Sequence, residues 1–494
     1  MTRDVLLSDK QEWVGTWWQP EDPAQKVSGV LTFDPESGAE LRLIGGWEYD
    51  LRVPDGDGPI SLGGQTRDWP VILGAVSDGR RVTLLDVQLK TARTTYNQLK
   101  EVDGPDVLHL HPATVLIGCH LRGEGDAVFV AGAVTAENLT GWSARTGIGG
   151  QHRFGKDDTK RSGEITIRRL PAIVAESSTV TVKLHHVSSQ PFTVNSRAER
   201  VSRVREHASV EFIASAPQPL GYYTNLAASV VDLLSLSAMR ACGLIQFRVY
   251  LAPTPDRYPE GSPYAQMRTQ VDVFQRMVVA AEPEEPAEAF EDFVLTVNDE
   301  PFETLMPRWL EVREKFSAAR SMILGLQYVP GGYLENRVIT AVSAAEAMHR
   351  ALQPEPPIPK AEFKDLRAKI LALSPLRKQW LSERFSEHAN VPNLRERLIN
   401  LAERVGPAGS LLVGDIGGWA KTATGARNKI AHVGTSPQAL TELRAVADTT
   451  AGVVVLNLLH ELGVPNDRLV TAVQQNPVLR RTAGLAKTAF TVDG

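Results

Sequence analysis

The chain of 494 residues has two cysteines, Cys119 and Cys242. They lie far apart in sequence, so a disulfide framework of the kind that staples small secreted domains is excluded. No apolar run reaches the length of a bilayer span. The longest, AGVVVLNLLHELGV at 451–464, carries Asn457, His460 and Glu461 and reads as a buried amphipathic helix. The opening MTRDVLLSDKQEW has no signal-peptide pattern, and a cytoplasmic protein without a membrane partner is the expectation. A strongly basic balance is also missing: the net charge of −5 argues against a wholesale nucleic-acid coat. There is no internal repeat, no nucleophile elbow and no paired-cysteine motif. GIGG at 147–150 lacks the lysine and helix start of a phosphate loop. In HLHPATVLIGCH (109–120), His109 and His111 would share a strand face, but Cys119 and His120 would point oppositely and Pro112 interrupts. His185 and His186 are adjacent and would face opposite ways on a strand. Chance clustering accounts for these groups better than zinc does, so no metal and no cofactor is expected.

What is present is a globular composition, 43% apolar and 22% charged, in a chain too long for one core. The first 210 residues read as antiparallel β-structure. VSGVLTFDPESGAELRLIGGW places two alternating runs around the turn signal DPESG, and RRVTLLDVQL, DAVFVAGAV, GEITIRRL and STVTVKLHHV continue the style. LGYYTNLAASVVDLLSLSAMRA (220–241) switches to helical spacing, and GLIQFRVYLA returns to strand. The acidic, proline-bearing AAEPEEPAEAFEDF (280–293) marks a boundary. The expected division is a β-rich domain over 1–285 and a helical domain over 295–485.

Beyond residue 300 the pattern is helical. Trp309, Val312, Phe316, Ala319, Ile323 and Leu326 form one stripe, and Leu334, Val338, Val342, Ala345 and Met348 a second. A basic helical insert is expected at 361–405, with Phe363, Leu366, Ile370, Leu373, Leu394, Leu398 and Leu401 as its apolar positions. Trp419, Ala423, Ala426, Ile430 and Val433 define a third principal helix, and 438–462 the last and most apolar. Four principal helices with an insert between the second and third imply a bundle. Charge is unevenly spread: 281–359 holds 6 Lys/Arg against 14 Asp/Glu, whereas 360–430 holds 13 against 7. Most of the basic residues fit solvated helix faces; together they also suit a phosphate-attracting surface.

That basic stretch ends in ATGARNKIAHVG (423–434), where four residues separate Arg427 from His432. Chance gives about one such spacing in a chain of this composition. Arg145 and His152, in a glycine-rich stretch read as a loop without a rigid frame, are a second near-match and are set aside. Context favours the first pair. Asn428 and His432 are i and i+4 on one helix face, and the long Arg427 side chain can swing beside them. Ala426, Ile430 and Val433 are expected to hold the other side to the core, and Gly434 and Pro437 to end the helix. A histidine capping a helix end beside a solvated arginine accounts for the same residues equally well.

ARNKIAH resembles the Arg-x4-6-His signature of HEPN domains, four-helix bundles of which many are metal-independent ribonucleases. The stretches SGVLTFDPESGAELRLIGGW, ILGAVSDGRRVTLLDV and AVTAENLTGWSA resemble the N-terminal domain of the ApeA family of bacterial anti-phage abortive-infection proteins. The resemblance implies an endoribonuclease acting on RNA (tRNA among the options), with an unknown phage-derived trigger and a homodimer or higher homo-oligomer that duplicates the site. Imidazole suits proton transfer near neutral pH, and the guanidinium fork suits a phosphate. His432 and Arg427 would therefore be catalytic, Asn428 would orient the phosphate or His432, and Glu346 on the second helix would be a polar helper. Glu346 fits an i,i+4 salt bridge to Arg350 just as well. His349 is expected to be structural or on the surface. Lys421 and Lys429 are expected RNA contacts. The alternative is a non-catalytic HEPN-like bundle used for dimerisation or RNA binding, with a ligand-recognising β domain.

Overall fold

A computed structural model of the chain describes residues 6–45, 47, 68–93, 107–153, 162–254, 262, 264–373, 375–386 and 389–490. The contacts divide the chain into two compact units, one of residues 1–234 and 242–287 and one of residues 235–241 and 288–494.

The first unit carries strands β1 (Gln11–Gln19), β2 (Asp22–Asp34), β3 (Gly38–Ile44), β4 (Asp68–Val76), β5 (Arg81–Arg93), β6 (Val107–Ile117), β7 (Phe129–Ala136), β8 (Ile148–Arg153), β9 (Ser162–Ile167), β10 (Ile173–Glu176), β11 (Val180–Ser188), β12 (Phe192–Asn195), β13 (Arg200–Arg203), β14 (Glu206–Gln218), β15 (Leu244–Leu251) and β16 (Thr269–Gln275). Helix α1 is Leu139–Trp142, and α2 is Leu220–Ala238, whose residues from 235 on belong to the second unit. Every pairing between these strands is antiparallel, as the alternating sequence runs lead one to expect. Six strands close on themselves in the order β6-β3-β2-β1-β4-β5, with β5 returning to β6. The remaining strands of the large sheet run β10-β11-β14-β7-β15-β16 and join at β6. That strand therefore serves two structures. One edge pairs with β5 throughout, while the other is divided between β3 at Val107–Leu110 and β16 at Thr114–Ile117. Pro112 lies inside this strand between the two partners, so it does not interrupt the element as its sequence context suggested.

Closure gives the barrel an interior of alternating apolar side chains, among them Trp17, Leu31, Phe33, Leu41, Leu43 and Leu110, all 2% exposed or less. The DPESG turn closes the β2–β3 hairpin, with Gly38 at φ +87. Trp17 faces Gly74 across β1 and β4, and a Cβ at residue 74 would sit 2.3 Å from Trp17 Cε3. Gly74→Ala is therefore expected to destabilise the β-rich unit by about 1–3 kcal/mol through overpacking. Urea unfolding followed by tryptophan fluorescence measures this; an unchanged midpoint would mean that the indole has room to move. Of the stretch read from sequence as a loop, residues 148–153, His152 among them, form strand β8 paired with β9, whereas Arg145 lies before that strand.

The second unit is built from α3 (Phe302–Lys315), α4 (Ser317–Tyr328), α5 (Leu334–Ala351), α6 (Lys360–Ala372), α7 (Lys378–Arg384), α8 (Leu394–Arg404), α9 (Pro407–Val413), α10 (Ile416–Val433), α11 (Leu440–Glu461), α12 (Asn466–Gln475) and α13 (Pro477–Phe490). The stripe from Trp309 to Leu326 is not one helix. Phe316 leaves helical geometry at φ −108, ψ 29, while hydrogen bonds to Val312 O and from Arg320 N carry the chain across the break. The apolar face continues because only one residue departs. The basic insert also divides. Helices α6 and α7 pack on each other, whereas α8 packs against α5 and α10 and so belongs to the bundle. Leu373, expected on the insert's apolar stripe, is 84% exposed. Asn457 of α11, fully buried, donates to Leu401 O and Val453 O at 2.9 Å each and accepts from Arg404 at 3.1 Å, which fastens α8 to α11. Helices α12 and α13 lie beyond the last element expected from sequence. No helix among the described residues is long and apolar enough to cross a membrane.

Candidate active site

The helix that carries the Arg-His motif, α10, is set at both ends by local chemistry. Asp415 caps its start by accepting from Gly418 N, and Gly434 at φ +82 ends it. Trp419, Ala420, Ala423, Ala426 and Ile430 turn inward. Val433 does not: it is 74% exposed, because it lies in the final turn, past the end of the buried stripe. The opposite face carries exposed Lys421, Asn428, Lys429 and His432, with Arg427 between the two.

Arg427 does not project freely. Its Nη2 lies 3.6 Å from Glu346 Oε2, and its Nη1 contacts Asn428 Oδ1 at 3.4 Å. Glu346 of α5 is also 3.6 Å from Arg397 of α8 and 3.6 Å from Arg350, one turn on. Three guanidiniums from three helices thus surround one carboxylate, and the cluster carries excess positive charge. Glu346 and Arg397 are the sequestered members, with side chains 15% and 14% exposed, while Arg427 is 33% and Arg350 66% exposed. Arg397 is anchored separately by donating to Pro392 O at 2.7 Å. The i,i+4 contact with Arg350 read from sequence is present, and the same carboxylate lies beside the motif arginine. In the sequence Arg397 is one of the 13 Lys/Arg of the basic stretch 360–430, with nothing local to tie it to Glu346. Its signal was the capping box of Asn393 and Glu396, which starts α8 and so puts Arg397 on a bundle helix.

His349 is buried at 3% exposure, with Nε2 3.4 Å from Asn400 Nδ2. Burial, and then the nearby Arg397 charge, hold its pKa below the ordinary imidazole value. His120, His186 and His460 are shifted the same way, each chiefly by burial. A histidine with a depressed native pKa binds fewer protons when folded than when unfolded. Its contribution to stability is complete above about pH 6.5 and is lost as pH falls below that value. The melting temperature is expected to drop by several degrees between about pH 7.5 and about pH 5.5. The drop should be smaller in His349→Gln; an identical pH slope would remove His349 from the account.

The other sequence clusters are internal polar pairings. His109 contacts Glu40 at 2.8 Å, His185 contacts Glu211 at 3.1 Å, and His186 contacts Ser143 at 2.8 Å in a buried pair. His185 and His186 thus face opposite ways. Cys119 is buried, and burial pushes its thiol up to about 12, which removes it as a nucleophile. No group of three or more His, Cys, Asp or Glu that could hold a metal ion occurs among the described residues.

The helical unit that carries the Arg-x4-His segment is of HEPN type, and the family matches show this. Residues 12–309 match the family model described as ApeA N-terminal domain 1, and residues 339–468 match the one described as Apea-like HEPN. The chain belongs to the ApeA family. The first match runs past the contact-defined division at 287/288 into α3. No curated protein and no solved structure matches this chain.

Proposed function

We propose that the helical unit is an endoribonuclease acting in anti-phage defence, and that its active site is the outward face of α10. The supporting observation is the placement of Arg427. Its guanidinium is held by Glu346 at an exposed helix face within a cluster of excess positive charge, beside Asn428 and in the same helix as the exposed His432. RNA supplies its own nucleophile in the 2′-OH. A neutral imidazole of His432 takes that proton as the 2′-oxygen bonds to phosphorus. Arg427 bears the charge that develops on the phosphate oxygens. The P–O5′ bond breaks, and the leaving oxygen takes a proton from an imidazolium. The products are a 2′,3′-cyclic phosphate and a 5′-hydroxyl.

One His432 serves as either base or acid. A two-fold dimer with two α10 ends facing each other supplies the other role. Val433 and Leu440, exposed at 74% and 68% on either side of the α10–α11 connection, give that face apolar surface to bury. The cytoplasm, RNA as substrate with tRNA among the options, and a phage-derived trigger complete this reading. Lys421 and Lys429 would contact the RNA backbone.

The reading is tested by incubating the full chain with total RNA in EDTA. Cleavage is expected to persist and to leave cyclic phosphate ends, with the activity eluting as a dimer. Binding without cleavage would instead favour the second reading, a non-catalytic bundle. That reading has its own support, because the Glu346 cluster also ties three helices together.

A further inference from the structure

The helical unit contains a cavity of about 400 Å³ whose lining includes none of the motif residues, within the size class of small-ligand sites. Its apolar wall includes Ile323 and Leu326 of α4 and Val455 of α11. Its charged lining is uneven. Arg337, Arg444 and Arg481 line it together with one carboxylate, Asp448. Asp448 is shared between Arg337 at 3.8 Å and Arg444 at 3.4 Å. Arg337 is further held by donating to Leu326 O at 3.3 Å. Arg481 is exposed and forms no hydrogen bond or ion pair with the described residues. The cavity therefore has two guanidinium charges in excess. Gln327, also in the lining, has a buried side-chain oxygen with no hydrogen-bond partner among the described residues. A buried acceptor left unmet is costly, and a ligand that donates to it removes the cost.

We propose that this cavity binds a free nucleotide. The net excess of two positive charges suits the two charges of a phosphate monoester, and Arg481, unpaired among the described residues, and Arg444, which shares Asp448 with Arg337, are the exposed members that would hold it. The apolar wall suits the flat face of a base, and the Gln327 oxygen accepts from a base N–H. An aliphatic carboxylate would leave one guanidinium and the amide unmet, and inorganic phosphate would leave the apolar wall empty. The site does not depend on the ribonuclease reading, and its test reads binding rather than cleavage.

Calorimetric titration of the full chain with the four 5′-nucleoside monophosphates, inorganic phosphate and the matching nucleosides decides the matter. At least one monophosphate is expected to saturate the protein about tenfold more tightly than phosphate or its nucleoside. Arg481→Ala and Arg444→Ala should each weaken binding about tenfold, and Gln327→Met should weaken it without changing phosphate binding. Arg427→Ala should leave the affinity unchanged, which separates this cavity from the proposed RNA site. Circular dichroism melts confirm that each variant is folded. Absence of binding by every monophosphate, affinity equal to that of phosphate, or binding lost in Arg427→Ala but kept in Arg481→Ala would each overturn the proposal.

Discussion

Arg427→Ala and His432→Ala are each expected to lower RNA cleavage by about a hundred- to ten-thousand-fold, the range for loss of a proton-transfer or charge-bearing group. Neither should unfold the protein. His432 is exposed. Arg427 makes ion-pair contact with Glu346 only at 3.6 Å from a one-third exposed position, so its removal should cost no more than about 1 kcal/mol. Initial cleavage rates, together with melting curves on the same preparations, give the result. Wild-type rates in either variant would end the catalytic assignment, and a collapsed melt would move the residue to a structural role.

Glu346→Ala is expected to have the opposite signature, with stability affected first. Removing this carboxylate leaves Arg397, only 14% exposed, beside two further guanidiniums with no counter-charge from Glu346. Breaking a sequestered pair in this way costs about 3 kcal/mol, or roughly 6–12 °C of melting temperature in a unit of this size. The double variant E346A/R397M should recover part of the loss because the stranded charge goes with its partner. If Glu346 also positions Arg427, cleavage per folded molecule should fall further in Glu346→Ala than in Glu346→Gln, which keeps hydrogen-bonding oxygen near the guanidinium. An additive double variant would show that Glu346 and Arg397 do not couple.

The parts of this site differ in how visible they were in the sequence. Helix α10 was legible because Trp419, Ala423, Ala426 and Ile430 repeat at helical spacing and Gly434 follows, and all four are buried. Val433 broke the pattern, since periodicity does not say where a neighbouring helix stops covering a stripe. Helices α5 and α11 were legible for the same reason. The break at Phe316 was not, because no proline or glycine marks it and the residue remains buried. Helix α12 follows Pro465 and α13 begins at Pro477, and the long apolar helix before them draws the eye as the end of the bundle. Arg397 was hidden by distance: 50 residues separate it from Glu346, and local spacing carries no information on such a pair. Antiparallel strands were legible from alternation and turn residues. The barrel was not, because closure is a matter of which strand meets which, and Val107–Ile117 gives no sign of having three partners.

The division of β6 between β3 and β16 also orders events during synthesis. Residues 11–117 contain every strand of the barrel, so it can close while the ribosome is still making the outer sheet. The stretch Thr114–Ile117 then waits, with backbone groups on one edge unpaired, until Thr269–Gln275 has been made and threads between β6 and β15. About 150 residues of translation, at roughly 5–20 residues per second, separate the two events, so that edge stays open for about 10–30 s. An open edge rich in β-branched residues is a template for pairing with another nascent chain. The last strand to emerge in this unit is thus the one that ends its exposure to aggregation.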